Sequence, residues 1–268
     1  SLTDSSVGMN REDFKILLSA DKDARILTLT DNGIGMTKEE LEKNLGTIAR
    51  SGSLDFKTEN KAAEDIDIIG QFGVGFYSAF MVASRVTVVS RAFGSEEAWK
   101  WESKGAEGYT LTPADKEDVG TEITLVIKED TENENYSQFL DEFTLVNIVK
   151  KYSDYVRYPI QMYRHKSRMK DKPEDAPEDY KPELETLNSM VPLWKRSKDE
   201  VKPEEYNQFY KEKFFDYTDP ARVITSRTEG TATYNALLFI PGRAPYDYYT
   251  REYEKGLQLY ASGVLIMD

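Results

Sequence analysis

Four strand-like segments follow one another at residues 85–91, 98–103, 108–111 and 121–127, and a helical pattern stands on either side of them. Several strands in sequence flanked by helices predict an α+β layer with a largely antiparallel sheet. An earlier strand precedes them: Ile26-Leu27-Thr28-Leu29-Thr30 alternates like a strand buried on one face. Asp31-Asn32-Gly33 ends it abruptly. Thr37-Lys38-Glu39-Glu40 then reads as a capping box, with Thr37 as N-cap and Glu40 at the third helical position. Leu41, Leu45 and Ile48 follow at helical spacing and face a core.

Between residues 51 and 67 the pattern dissolves into small, polar and charged residues. A loop this long inside a domain is functional or mobile. Ile68-Ile69 restores order before Gly70-Gln71-Phe72-Gly73-Val74-Gly75-Phe76, where an apolar helix over 74–83 opens. Phe139, Phe143, Val146 and Val149 mark a further helix ending near Tyr155. Residues 166–185 hold five basic and seven acidic residues with three prolines, which reads as a solvated excursion. Pro203-Glu204-Glu205 opens an aromatic helix with Tyr206, Phe209, Tyr210 and Phe214. Strands over 222–228 and 233–240 follow, and 257–267 reads as a hairpin or edge pair. The domain boundary is expected at residue 157, giving domains 1–157 and 158–268.

Composition narrows the function. There are 35 basic and 48 acidic residues, a net charge of −13, which argues against a general nucleic-acid or anionic-membrane binder. No cysteine is present, which excludes disulfides and thiolate metal sites within these residues and fits a reducing, cytoplasmic interior. The one histidine, His165, stands at the edge of the charged excursion and reads as a surface residue. It leaves no multi-histidine metal site. No apolar run approaches a membrane span, and the first six residues carry no signal-peptide core.

Two glycine clusters are candidate sites. Asp31-Asn32-Gly33-Ile34-Gly35 is equally a plain turn, since Asp, Asn and Gly favour turns by backbone geometry. Its functional reading puts a carboxylate at a strand end beside residues without side chains. A flat ring then lies on the glycines while Asp31 accepts a hydrogen bond from its amino group. Gly70-x-x-Gly73-x-Gly75 is either a flexible hinge or tight helix packing, or else a nest of backbone amides at a helix N-terminus, where the macrodipole attracts phosphate. Its order differs from the dinucleotide fingerprint, and no Gly-Lys-Ser/Thr loop exists in the chain. Gly120-Thr121 reads in isolation as an ordinary strand start, and Asn44 and Arg50 as helix-surface residues. Together the clusters are stronger: a base-binding carboxylate, a helix, a loop and a phosphate nest.

Asp31-Asn32-Gly33-Ile34-Gly35-Met36-Thr37, Asn44-Leu45-Gly46-Thr47-Ile48-Ala49-Arg50-Ser51-Gly52 and Ile69-Gly70-Gln71-Phe72-Gly73-Val74-Gly75-Phe76-Tyr77-Ser78 resemble the heat-shock protein 90 chaperones of bacterial type. Lys151-Tyr152-Ser153-Asp154, Leu193-Trp194, Ala244-Pro245-Tyr246-Asp247 and Gly263-Val264-Leu265-Ile266-Met267 extend the resemblance through nearly the whole chain. It implies a Bergerat-type ATP-binding sandwich, an antiparallel sheet covered by helices, followed by the start of an α/β middle domain that contacts clients. It implies that Asp31 receives the adenine amino group, helped by a water that Thr121 also holds. Gly35 and Met36 line the base, Asn44 meets the sugar side and Arg50 the polar end of the nucleotide. Gly73, Val74, Gly75 and Phe76 wrap the phosphates, and residues 51–67 form a lid.

The family's catalytic Glu and magnesium-binding Asn belong to a helix preceding the part matched by Ser1, and its γ-phosphate Arg follows the part matched by Asp268. The resemblance therefore implies a fragment with ATP or ADP and Mg2+ as cofactors but no catalytic or metal residue within it. It implies client proteins as partners and a homodimer for the parent, with no nucleic acid and no membrane. The leading function is an ATP-dependent folding chaperone. The alternatives are a nucleotide-gated client-binding module without turnover and another Bergerat ATPase, such as a kinase or topoisomerase subunit.

Overall fold

The computed structural model describes residues 11–46, 75–106, 108–164, 182–230, 233–244, 248–250 and 256–268. Its centre is an eight-stranded sheet. Two strands open it: β1 (Ile16–Asp21) and β2 (Ile26–Asp31). Four more come in quick succession: β3 (Ala83–Arg91), β4 (Ala98–Ser103), β5 (Tyr109–Ala114) and β6 (Gly120–Ile127). The last two are β7 (Ile160–Arg164) and β8 (Glu183–Thr186). Their order is β5-β4-β3-β6-β2-β1-β7-β8, and all neighbours are antiparallel except β1 and β7. The α+β layer expected from the sequence is therefore present.

One face of this sheet is apolar. Leu27 and Leu29 of β2 alternate with Thr28 and Thr30, and the register aligns Leu29 with Ile123 and Val88, and Leu27 with Leu125 and Val86. Residues two apart share a face, so these rows build one continuous surface. Helix α1 (Lys38–Leu45) covers part of it with the fully buried Leu41 and with Leu45. Its start is the expected capping box: the Glu40 amide donates to Thr37 Oγ1 at 3.2 Å, and the Thr37 amide donates to Glu40 Oε2 at 2.8 Å. A 3₁₀ turn at Phe76–Ser78 runs into the one-turn helix α2 (Ala79–Val82). The apolar helix expected over 74–83 is thus shorter. Ala83 already belongs to β3, where β-branched Val86, Val88 and Val89 favour the extended chain. Helix α3 (Glu142–Tyr152) contributes Leu145 and Val149 to the same core.

The sheet continues past residue 157. Ile160 and Met162 are both buried and pair in parallel with Ile16 and Leu18, which lie on the apolar face. The charged excursion ends in β8, where Glu185 accepts from Arg164 at 2.7 Å; its residues 166–181 and His165 lie outside the described residues. Asn188 locks the return. Its Oδ1 accepts from the Ile160 amide at 2.7 Å, and its Nδ2 donates to the carbonyls of Val156 and Tyr158 at 2.8 and 3.0 Å.

Beyond it come α4 (Pro203–Phe214) and two hairpins, β9 (Arg222–Thr228) with β10 (Tyr234–Ile240) and β11 (Leu259–Ala261) with β12 (Val264–Met267). Phe209, Tyr210 and Phe214 gather round Phe239 with ring centroids 5.2–6.0 Å apart, so these aromatics pack on one another. Tyr155, Trp194 and Tyr260 form a second aromatic group at 4.7–5.2 Å.

Candidate functional site

The apolar face ends in a polar row. Asp31, the last residue of β2, pairs with Thr121 of β6, and Thr121 pairs with Ser90 of β3. All three share the face of Leu29, Ile123 and Val88, because each lies two residues along its strand from one of them. Ser90 and Thr121 are buried. Polar side chains on a core face need partners. Ser90 Oγ and Thr121 Oγ1 lie 2.9 Å apart, and Ser90 Oγ lies 3.2 Å from the Gly120 carbonyl.

Asp31 is held by its neighbours. Oδ1 accepts from the Gly33 amide at 2.8 Å, which turns the chain immediately after the strand. Burial pushes the Asp31 carboxyl above the ordinary carboxylate range; the backbone amides of Gly33 and Thr121 and the positive charge of Lys116 oppose that rise. A strand-end carboxylate with that balance is an acceptor that gains from a further donor.

The glycine loop is pressed against β3. Gly35 has φ +64°, and a Cβ there would lie 1.9 Å from the Arg91 carbonyl oxygen. Only glycine allows that approach. The Phe93 amide donates to the Ile34 carbonyl at 2.7 Å, and the Met36 amide donates to Ser90 Oγ at 2.8 Å. Gly120, at φ +123°, comes equally close to β2: its Cβ would meet the Asp31 carbonyl oxygen at 2.2 Å. Two glycines therefore let three backbones converge, the loop on β3 at Arg91 and the start of β6 on β2 at Asp31.

Asn44 projects from the last turn of α1 onto this loop. Its Nδ2 lies 4.0 Å from Met36 Sδ, and its Oδ1 is buried without a hydrogen-bond partner among the described residues. A buried amide oxygen left alone costs free energy that a ligand donor recovers. Asp31, Gly35, Met36, Asn44 and Thr121 are thus brought together.

Gly75 and Phe76 stand apart from that group but tie into the same helix. Tyr77 donates from its hydroxyl to the Leu45 carbonyl at 2.9 Å. The Phe76 ring packs edge-on against Trp101 at 5.5 Å, so its side chain is core and only its backbone is available to a ligand. Among the described residues nothing lies within 4 Å of a Cβ built at Gly75. Arg50, Gly73, Val74 and the expected lid over 51–67 lie outside the described residues. Ser90 escaped the sequence reading, although a Ser in phase with Val86 and Val88 is the signal that marks it.

Among the described residues no group of three or more His, Cys, Asp or Glu side chains is placed to hold a metal ion. No helix among them is long and apolar enough to cross a membrane. A shallow cleft of about 300 Å³ beside Glu96, Glu97, Trp99 and Pro113 is lined by none of the candidate residues.

Comparison with known proteins gives two family matches. Residues 1–130 match the family described as histidine kinase-, DNA gyrase B- and HSP90-like ATPase, and residues 177–268 match the Hsp90 protein family. The chain is 58% identical over all 268 residues to the chaperone protein HtpG of Clostridium acetobutylicum and to that of Clostridium botulinum strain Langeland. It is 56% identical over the same span to HtpG of Alkaliphilus oremlandii. In each case the match takes in 100% of this chain and 43% of the relative.

Proposed function

The chain belongs to the heat-shock protein 90 family, and from that premise we propose that its polar row is the adenine end of a site for ATP and ADP. The observation that carries the reading is the meeting of Asp31, Thr121 and the partnerless Asn44 oxygen where two glycines let three backbones converge. Ionised Asp31 accepts the adenine amino group. Thr121 serves the neighbouring ring nitrogen, directly or through one water. Gly35 and Met36 lie along the base, and Asn44 Oδ1 accepts from the sugar. Arg50 meets the polar end of the nucleotide, and the amides of Gly73, Val74, Gly75 and Phe76 hold the phosphates. Residues 51–67 close over the bound nucleotide as a lid. Mg2+ enters with the nucleotide and is held mainly by its phosphates.

The whole protein, of which this chain spans 43% of the length of its relatives, acts in this reading as an ATP-dependent chaperone. It is a cytoplasmic homodimer whose partners are unfolded or partly folded client proteins. Nucleotide binding drives its conformational cycle. The nucleotide unit runs through β8, because β7 and β8 complete its sheet, and the client-contacting unit follows it.

Calorimetric titration with ADP tests the site. Asp31→Asn keeps the size and the acceptor for Gly33 but turns a donor toward the adenine amino group. The expected loss is about 2–4 kcal/mol, as for a buried hydrogen bond to a charged group whose partner is left unpaired. Unchanged affinity removes Asp31 from the site.

A further inference from the structure

We propose that Asn32 is a positioning residue for nucleotide binding: its carboxamide stands in for a peptide unit against residues 13–15 and so fixes the turn that aims the Asp31 carboxylate. This rests on the adenine reading above.

β1 and β2 run side by side up to the pair Ile16 and Asp31. There the two chains part, because β2 turns into the glycine loop, with Asp31 Oδ1 accepting from the Gly33 amide at 2.8 Å. Among the described residues no strand pairs with 13–15, and the polar backbone groups there need partners. Asn32 supplies them. Its Nδ2 donates to the Asp13 carbonyl at 2.7 Å, and its Oδ1 accepts from the Lys15 amide at 2.8 Å. A carboxamide carries the same donor and acceptor as a peptide unit, and here both are used as a neighbouring strand would use them.

The segment that Asn32 holds is itself fixed. Phe14 is buried and its ring meets Tyr158 edge-on at 6.0 Å, and the Ile16 amide donates to the Pro159 carbonyl at 2.9 Å. Asn32 therefore ties the turn to a packed part of the fold. The next hold along the loop comes at Ile34, whose carbonyl accepts from the Phe93 amide. Between the two stands Gly33, whose backbone has the most freedom. With Asn32 anchored, the peptide that carries the Gly33 amide keeps one direction, and Asp31 keeps its bond to it. Without the anchor Gly33 turns, that bond lengthens and the carboxylate loses its aim. Its charge is affected as well. Burial raises the Asp31 carboxyl, and the largest opposition comes from the Gly33 amide, followed by the Thr121 amide and by Lys116, the charged side chain that acts on Asp31 among the described residues. Weakening the Gly33 bond raises the carboxyl further, so ionisation, and with it acceptance from the adenine amino group, moves to higher pH.

The experiment measures ADP affinity by calorimetry from acid to neutral pH in the wild type, Asn32→Ala and Asp31→Asn, with urea unfolding as the folding control. Asn32→Ala is expected to weaken ADP binding at neutral pH by about tenfold, the worth of one hydrogen bond set out of line. It is also expected to move the midpoint of the pH dependence upward by about one unit. If Asn32→Ala does not fold, Asn32→Ser carries the same expectation, since its oxygen stands where the amide carbon stands and falls short of both partners. Lower stability with the wild-type affinity and midpoint means a merely structural Asn32 and overturns the proposal. A loss of affinity with the midpoint in place overturns it too, because Asn32 then does not act through Asp31. Should the wild type bind no ADP or bind it without dependence on pH, or should Asp31→Asn bind it as the wild type does, the adenine reading itself falls. Should Asp31→Asn lose ADP while Asn32→Ala keeps the wild-type affinity and midpoint, only the role of Asn32 falls.

Discussion

Replacing Gly35 by Ala tests whether the glycine loop must press on β3. The native φ of +64° lies in the left-handed region, which costs an L-residue about 1–2 kcal/mol. The larger effect is steric. The added methyl lies 1.9 Å from the Arg91 carbonyl oxygen, and that contact must open to at least 3.0 Å. The oxygen belongs to the end of β3, so it is the loop that retreats. Retreat strains the two hydrogen bonds that anchor it, Phe93 N to the Ile34 carbonyl and Met36 N to Ser90 Oγ. Each is worth about 0.5–1.5 kcal/mol net. Together these give a destabilisation of roughly 2–5 kcal/mol, read as a lowered midpoint in urea unfolding. Gly75→Ala is the internal control. Gly75 has φ −60° and no described atom where the methyl goes, so the stability of that variant stays within about 0.5 kcal/mol of the wild type. A Gly35→Ala protein as stable as the Gly75→Ala one would refute the close approach.

Two further outcomes follow from single residues. Desolvation makes native Asp31 hold its proton more tightly than the unfolded chain does, so its contribution to stability is full below the ordinary carboxylate pKa and is lost as pH rises through the raised native value. A ligand donor favours the ionised form, so ADP affinity rises over that same window and binding releases a proton; calorimetry in two buffers of different ionisation enthalpy, from acid to neutral pH, reads both, and pH-independent affinity would contradict it. Asn188→Ala leaves the Ile160 amide and two carbonyls without their partner and costs roughly 2–4 kcal/mol in urea unfolding; a neutral result would mean that β7 does not depend on the segment after β8.

What could be read along the chain was local. Alternation in residues 26–30, the Thr37–Glu40 capping box and the strand run from 85 to 127 each depend on neighbours a few positions away, and each is present with nearly the expected bounds. Asp31 was legible as a candidate site residue because a carboxylate, two glycines and a helix start stand within seven residues. β1 was missed, since Ile16-Leu17-Leu18 lacks a period of two. The short helix near residue 80 was read too long, because an apolar stretch does not reveal where a strand takes over. Its family motifs and its fold class were therefore written in the order of the residues.

Other features needed the fold. The parallel pairing of β1 with β7 joins residues 16–18 to 160–162, and no local signal specifies a partner so distant. The polar row has the same origin. Asp31, Ser90 and Thr121 come from three strands and become neighbours only through register, which a one-residue slip would destroy by turning every side chain to the other face. Burial then decides their chemistry. The apolar face and the covering helix exclude water, so a serine that looked like any strand residue holds a backbone amide and a threonine hydroxyl. The residues' identities were in the sequence; their mutual orientation and their dryness arise only from tertiary packing, because both depend on groups far apart in the chain.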